Sequence, residues 1–127
     1  TLSPSSAASD VYKRQMASAS ASAMSCDNPR NAYDRTYCAS LKMVQSDQDI
    51  NDQYKKTMSA LNPDQKKKVK AAQIQWIKNR DSACSNDGLL YLDCANEKTE
   101  ARIVILKAVE RECRAAGCDD AKLSQVE

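Results

Sequence analysis

Two glycines and three prolines in 127 residues leave this chain almost no material for tight turns. A sandwich or barrel needs a turn every few residues, so both are excluded. Between Pro63 and Gly88 no helix breaker occurs at all. The residues that fill the chain, chiefly Ala, Lys, Gln and Glu, are strong helix formers. The expected fold class is all-α: a small antiparallel bundle of three long helices plus a short helix near Asn28–Tyr37.

Composition narrows the chemistry. There is no histidine, which removes Ser-His and Cys-His nucleophile pairs and any Cys/His zinc site. A balance of 19 basic and 17 acidic residues is too even for a nucleic-acid binder defined by its field. The longest aliphatic run, Ile103–Leu106, is far too short for a membrane span. Carboxylates are the only acid–base material. Of the pairs available, Glu97 with Glu100 and Glu110 with Glu112, the latter point away from each other on a helix, and nothing in the sequence suggests a cleft, so no enzyme and no cofactor is expected.

Residues 1–25 do not read as part of the domain. Asp10-Val11-Tyr12-Lys13-Arg14-Gln15 looks like translated sequencing-adapter sequence. Met16–Ala23 resembles the small-residue end of a secretory signal, with cleavage expected after Ala23. The expected organisation is therefore a leader remnant over 1–25, a helical domain over 26–108, and a helix extension and tail over 109–127. Export, to a periplasm or outside the cell, is the expected localisation.

An exported chain with an even cysteine count is a disulfide scaffold. Cys26, Cys38, Cys84, Cys94, Cys113 and Cys118 are separated by 11, 45, 9, 18 and 4 residues, a spacing that fits no zinc or iron–sulfur pattern. Six cysteines allow 15 pairings on arithmetic alone. Local pairing suits three helices best. Cys26–Cys38 would tie the N-terminal segment to the first long helix, Cys84–Cys94 would close the loop between helices two and three, and Cys113–Cys118 would pin the C-terminal end.

Helical periodicity places the faces. Asn62-Pro63-Asp64-Gln65 reads as a capping box with proline at the first helical position. The face that follows is Val69, Ala72, Trp76, Ile77, Ala83 and Cys84. Upstream, Val44, Asp47, Asn51, Tyr54, Met58 and Leu61 form a second series, with Ile50 beside it. Downstream, Thr99, Arg102, Leu106, Val109 and Cys113 form a third, and Gly117 is its natural stop.

Polar residues stand on these stripes where aliphatics would be expected. The run Cys38…Asp47-x-x-Ile50-Asn51-x-x-Tyr54…Gln73-x-x-Trp76-Ile77-x-x-Arg80-Asp81-x-x-Cys84…Cys94…Thr99-x-x-Arg102-x-x-x-Leu106 resembles the LprI-type lysozyme inhibitor family, small exported bacterial helical domains. Ile50 stands where that family usually has leucine, and the tail from Val109 lies outside its pattern. The structural expectation for the motif is that Arg80 and Arg102 face Asp47 and Asp81 as interhelical ion pairs, with Trp76 as a core anchor.

The resemblance implies binding and inhibition of an animal-type lysozyme, whose cleft holds two carboxylates. Two surfaces are candidates for the contact. One is the acidic loop between Asp81 and Asp93, with Asp87, Leu89, Leu90 and Tyr91 at its centre and a charge of −3 that suits a basic partner. The other is the lysine run Lys66, Lys67, Lys68 and Lys70 at the start of helix two. That run sits against the helix dipole and would serve a cell-envelope interaction module contacting anionic phosphates. A lipid carrier is less compatible, because such proteins carry adjacent Cys-Cys and Cys-x-Cys pairs.

Overall fold

The computed structural model describes residues 26–127, so the expectations for residues 1–25 lie outside the described residues. The order of elements is α1 (Ala32–Met58), α2 (Pro63–Ala83), β1 (Ser85–Asn86), β2 (Leu89–Leu90), α3 (Leu92–Ala115) and the short α4 (Asp120–Leu123). Among the described residues the fold is all-α apart from one two-stranded hairpin. Three disulfides join Cys26 to Cys38, Cys84 to Cys94 and Cys113 to Cys118.

The described residues divide into two units, 26–38 and 39–127. In the first, Asn31 caps the start of α1 by accepting from the backbone N–H of Asp34 at 2.8 Å. The buried Asp34 carboxylate in turn accepts from the backbone N–H of Arg30 at 3.2 Å and from its guanidinium at 3.3 Å. The separate short helix expected near Asn28–Tyr37 does not form. Its residues from Ala32 onward are the opening turns of α1, because no Gly or Pro interrupts the sequence from there to Met58.

In the second unit, α2 begins as its sequence predicts. Asn62 Oδ1 accepts from Gln65 N and Gln65 Oε1 accepts from Asn62 N, both at 2.9 Å, with Pro63 at the first position. Helix α3 ends at a left-handed glycine, Gly117 (φ 99°), whose N–H returns to Glu112 O at 3.1 Å. The core is Ile50, Leu61, Val69, Trp76, Leu106, Val109 and Leu123. Leu123 comes from the C-terminal segment, which folds back instead of trailing away. Asp119 caps α4 through Ala121 N, Lys68 pairs with Asp120 at 3.1 Å, and Lys122 pairs with Glu112 at 2.6 Å.

Two of the expected helical faces need correction. On α1 the buried stripe is Ser46, Ile50, Gln53 and Thr57, whereas Val44 is 58% exposed and Asp47 and Asn51 face solvent. The physical reason is a polar contact with α3, which runs parallel to α1. Thr57 Oγ1 donates to Leu106 O at 2.9 Å and accepts from Gln53 Nε2, which also reaches Glu110 Oε1 at 2.9 Å. The side chains that make this contact are polar, and an apolar-periodicity reading overlooks them. On α2, Ile77 and Ala83 are exposed, while Val69, Ala72, Gln73 and Trp76 are buried. The α3 stripe is placed as expected, from Thr99 to Val109.

Candidate functional site

The polar motif residues divide into two groups with different surroundings. At the C-terminal end of α2, Arg80 lies over the Trp76 ring, with its Cζ 5.2 Å from the ring centroid. Its Nε donates to Asp81 Oδ1 at 3.0 Å and its Nη1 is 3.9 Å from Asp47 Oδ1 on α1. The side chain is only 13% exposed, so the cation is held between an aromatic face and two half-exposed carboxylates. Only the contact with Asp47 is the interhelical pair that the sequence predicts; Asp81 is the neighbour of Arg80 on the same helix.

Arg102 departs from the prediction. It is 2% exposed and makes no ion pair with a carboxylate among the described residues. Its Nε donates to Gln73 Oε1 at 2.8 Å, and its Nη1 donates to the carbonyls of Gln125 at 2.7 Å and Val126 at 3.1 Å. Burial pulls its pKa below the usual arginine value. The returning tail thus supplies acceptors that the expectation had assigned to Asp47 and Asp81. Of the remaining motif residues, Asn51 is exposed, whereas Tyr54 is half-buried, its phenol pKa raised by that burial. Thr99 is buried and its hydroxyl donates to Ala95 O at 2.8 Å within its own helix.

The loop between α2 and α3 is a formed hairpin. Ser85 pairs with Leu90 and Asn86 with Leu89, leaving Asp87-Gly88 as a two-residue turn. Both turn residues have positive φ, 53° and 78°, the pattern of a type I′ turn. Asp tolerates that region and Gly reaches it freely, so Asp87-Gly88 is a hairpin signal that the loop-level sequence reading passed over. The base is tied three ways: by the Cys84–Cys94 disulfide, by Tyr91 N donating to Cys84 O at 2.8 Å, and by the Ser85 hydroxyl donating to Asp81 O. Cys84 is buried, so the staple is anchored in the bundle.

What this braced loop presents is apolar. Leu89 is 64% exposed, Tyr91 53% and Leu90 38%, three successive large side chains beside Asp87 at the turn. With Asp81, Asp87 and Asp93 and no basic residue, the segment 81–93 carries −3. The lysines lie elsewhere. Lys66, Lys67 and Lys70 are exposed in the opening turns of α2, while Lys68 is engaged with Asp120. From Lys70 to the end of α2 is about 20 Å at 1.5 Å per residue, so the two candidate surfaces occupy opposite ends of one helix.

No group of three or more cysteine, aspartate or glutamate side chains among the described residues is arranged to hold a metal ion. No helix among them is long and apolar enough to cross a membrane. No curated protein and no solved structure matches the chain. A family profile described as Lysozyme inhibitor LprI matches residues 26–106, a span that contains the Trp76–Arg80 stack, the stapled hairpin and Arg102. The chain belongs to the LprI lysozyme inhibitor family.

Proposed function

We propose that this domain, exported to the bacterial periplasm or secreted, inhibits animal-type lysozyme by occluding the substrate cleft with the hairpin 85–90 and the adjoining Tyr91. The observation that carries the reading is a run of exposed apolar side chains, Leu89 to Tyr91, on a loop whose base is cross-linked. A preorganised loop loses little conformational entropy on binding, and buried aromatic and aliphatic anchors contribute most of the energy of protein interfaces. Asn86 adds an amide suited to a cleft built for sugar hydroxyls. The −3 segment draws in a basic enzyme, an attraction that weakens with added salt.

The test is a cell-wall lysis assay with lysozyme and the full oxidised chain. Inhibition is expected, with a marked loss in a Cys84→Ser/Cys94→Ser variant that frees the hairpin base. Full lysis in the presence of a micromolar excess of the oxidised chain contradicts the reading.

A second reading rests on Lys66, Lys67 and Lys70, exposed at the N-terminal end of α2 where the helix dipole opposes them. On that reading the chain is a cell-envelope interaction module that contacts anionic phosphates. It requires binding to lipopolysaccharide that persists above physiological salt and is lost when the three lysines are changed to glutamine.

A further inference from the structure

Beside the point where Arg102 meets the returning tail, α2, α3 and the tail enclose a partly open cavity of about 150 Å³. Trp76, Ala101, Ile105 and Val126 supply apolar lining, and Lys98, Arg102 and Glu127 supply the charged groups.

Arg102 is the unusual member. Its Nε and Nη1 hydrogens are taken by three neutral oxygens, and none of the hydrogen bonds among the described residues uses Nη2. A guanidinium has five donors and no acceptor capacity, and a buried cation without a counter-ion carries a desolvation cost that an anion would offset. The half-buried Lys98 forms no ion pair among the described residues either. The lowered pKa of Arg102 agrees with a charge that lacks a partner. The apolar lining cannot pair with an anion but would pack against a hydrocarbon body. A cavity of this volume is roughly what a single six-membered ring occupies.

We propose that this cavity binds a small carboxylic acid bearing one apolar ring or a short alkyl chain. The carboxylate bonds to Arg102 Nη2 and Lys98, and the apolar body lies against Trp76 and Ile105. The site is distinct from the hairpin and stands or falls independently of lysozyme binding.

Trp76 is the only tryptophan in the chain and lines the cavity, so its fluorescence responds to a ligand bound there. The full oxidised chain is titrated with benzoate and, separately, with benzamide, which has the same shape and no charge. Free N-acetyltryptophanamide serves as the collisional control. A saturable change absent from the control is expected with benzoate, at an affinity about tenfold or more above that of benzamide, because the charge-assisted bonds are the selective element. Lys98→Gln, at a half-buried position, should weaken benzoate several-fold. Ala101→Leu, on an exposed helix position whose side chain lines the cavity, should abolish the saturable change while the domain still unfolds cooperatively. Neither variant removes a core contact, so the proposal does not depend on an Arg102 variant that fails to fold. Absence of a saturable change, equal affinity for benzoate and benzamide, or benzoate binding indifferent to Ala101→Leu would each overturn it.

Discussion

Arg102 Nε donates to Gln73 Oε1 at 2.8 Å, joining two buried polar side chains across the α2–α3 interface. The same guanidinium holds the Gln125 and Val126 carbonyls, so one residue of the family motif ties together two helices and a tail that lies outside the matched span. Removing the cation while keeping its bulk, as in Arg102→Met, leaves three acceptors without a donor. The expected loss is about 2–4 kcal/mol in urea unfolding. Adding Gln73→Leu should cost less than the two single changes summed, because the amide loses a partner only once. Additive losses would mean that the hydrogen bond carries no coupling.

The tail is part of the core. Leu123 is 1% exposed and packs in the cluster with Val69, Trp76 and Leu106. Leu123→Ala should therefore lower stability by about 2–4 kcal/mol, as for any fully buried leucine. Thermal unfolding followed by circular dichroism reads this directly. A change below about 0.5 kcal/mol is what an unattached tail would give.

Thr57 is 0% exposed, and its hydroxyl bonds both to Leu106 O on α3 and to Gln53 on its own helix. Thr57→Val keeps the volume but removes one hydrogen bond from each partner, Gln53 keeping its bond to Glu110 and Leu106 O its place in the helix. A loss of about 1–3 kcal/mol is expected, with Thr57→Ser less costly because the hydroxyl remains. Equal stability of the valine variant would show that the polar α1–α3 contact is incidental.

Glu110 is the acidic end of that contact. The hydrogen bond from Gln53 is the main influence lowering its pKa, with Arg114 assisting and partial desolvation opposing. A carboxylate more acidic in the folded state stabilises the fold above the ordinary glutamate range, and that contribution disappears as pH falls through the folded pKa. Glu110→Gln should be less stable than the parent at neutral pH and approach it as the pH drops below about 4. A stability difference independent of pH would exclude an ionised Glu110 from the contact.

The elements differ in how far their sequences reveal them. The helix-forming run after Asn62-Pro63 and the stop at Gly117 follow from local chemistry, because caps and breakers act within a few residues. The stripe of α3 is equally legible, since Leu106 and Val109 are apolar and periodic. The buried stripe of α1 is not, because Ser46, Gln53 and Thr57 are polar, and Gln53 and Thr57 are held by hydrogen bonds to a distant helix rather than by their own hydrophobicity. The same holds for Arg102. Its acceptors are backbone carbonyls more than twenty residues downstream, and no side-chain pattern marks a carbonyl. The hairpin is a different case, for Asp87-Gly88 carries a turn signal in plain view. The apolar residues after it suggested a contact loop, but a loop read for charge and exposure is not read for strand pairing.

The most direct test of the central claim compares two triple variants of the full oxidised chain for inhibition of lysozyme: Leu89→Ser/Leu90→Ser/Tyr91→Ser on the hairpin, and Lys66→Gln/Lys67→Gln/Lys70→Gln on the opposite end of α2. All six positions are exposed, so both proteins should keep the parent's far-ultraviolet circular dichroism. If the hairpin makes the contact, its variant loses inhibition by about tenfold or more while the lysine variant inhibits as the parent does. Unchanged inhibition by the hairpin variant, or a loss confined to the lysine variant, would contradict the hairpin as the inhibitory surface.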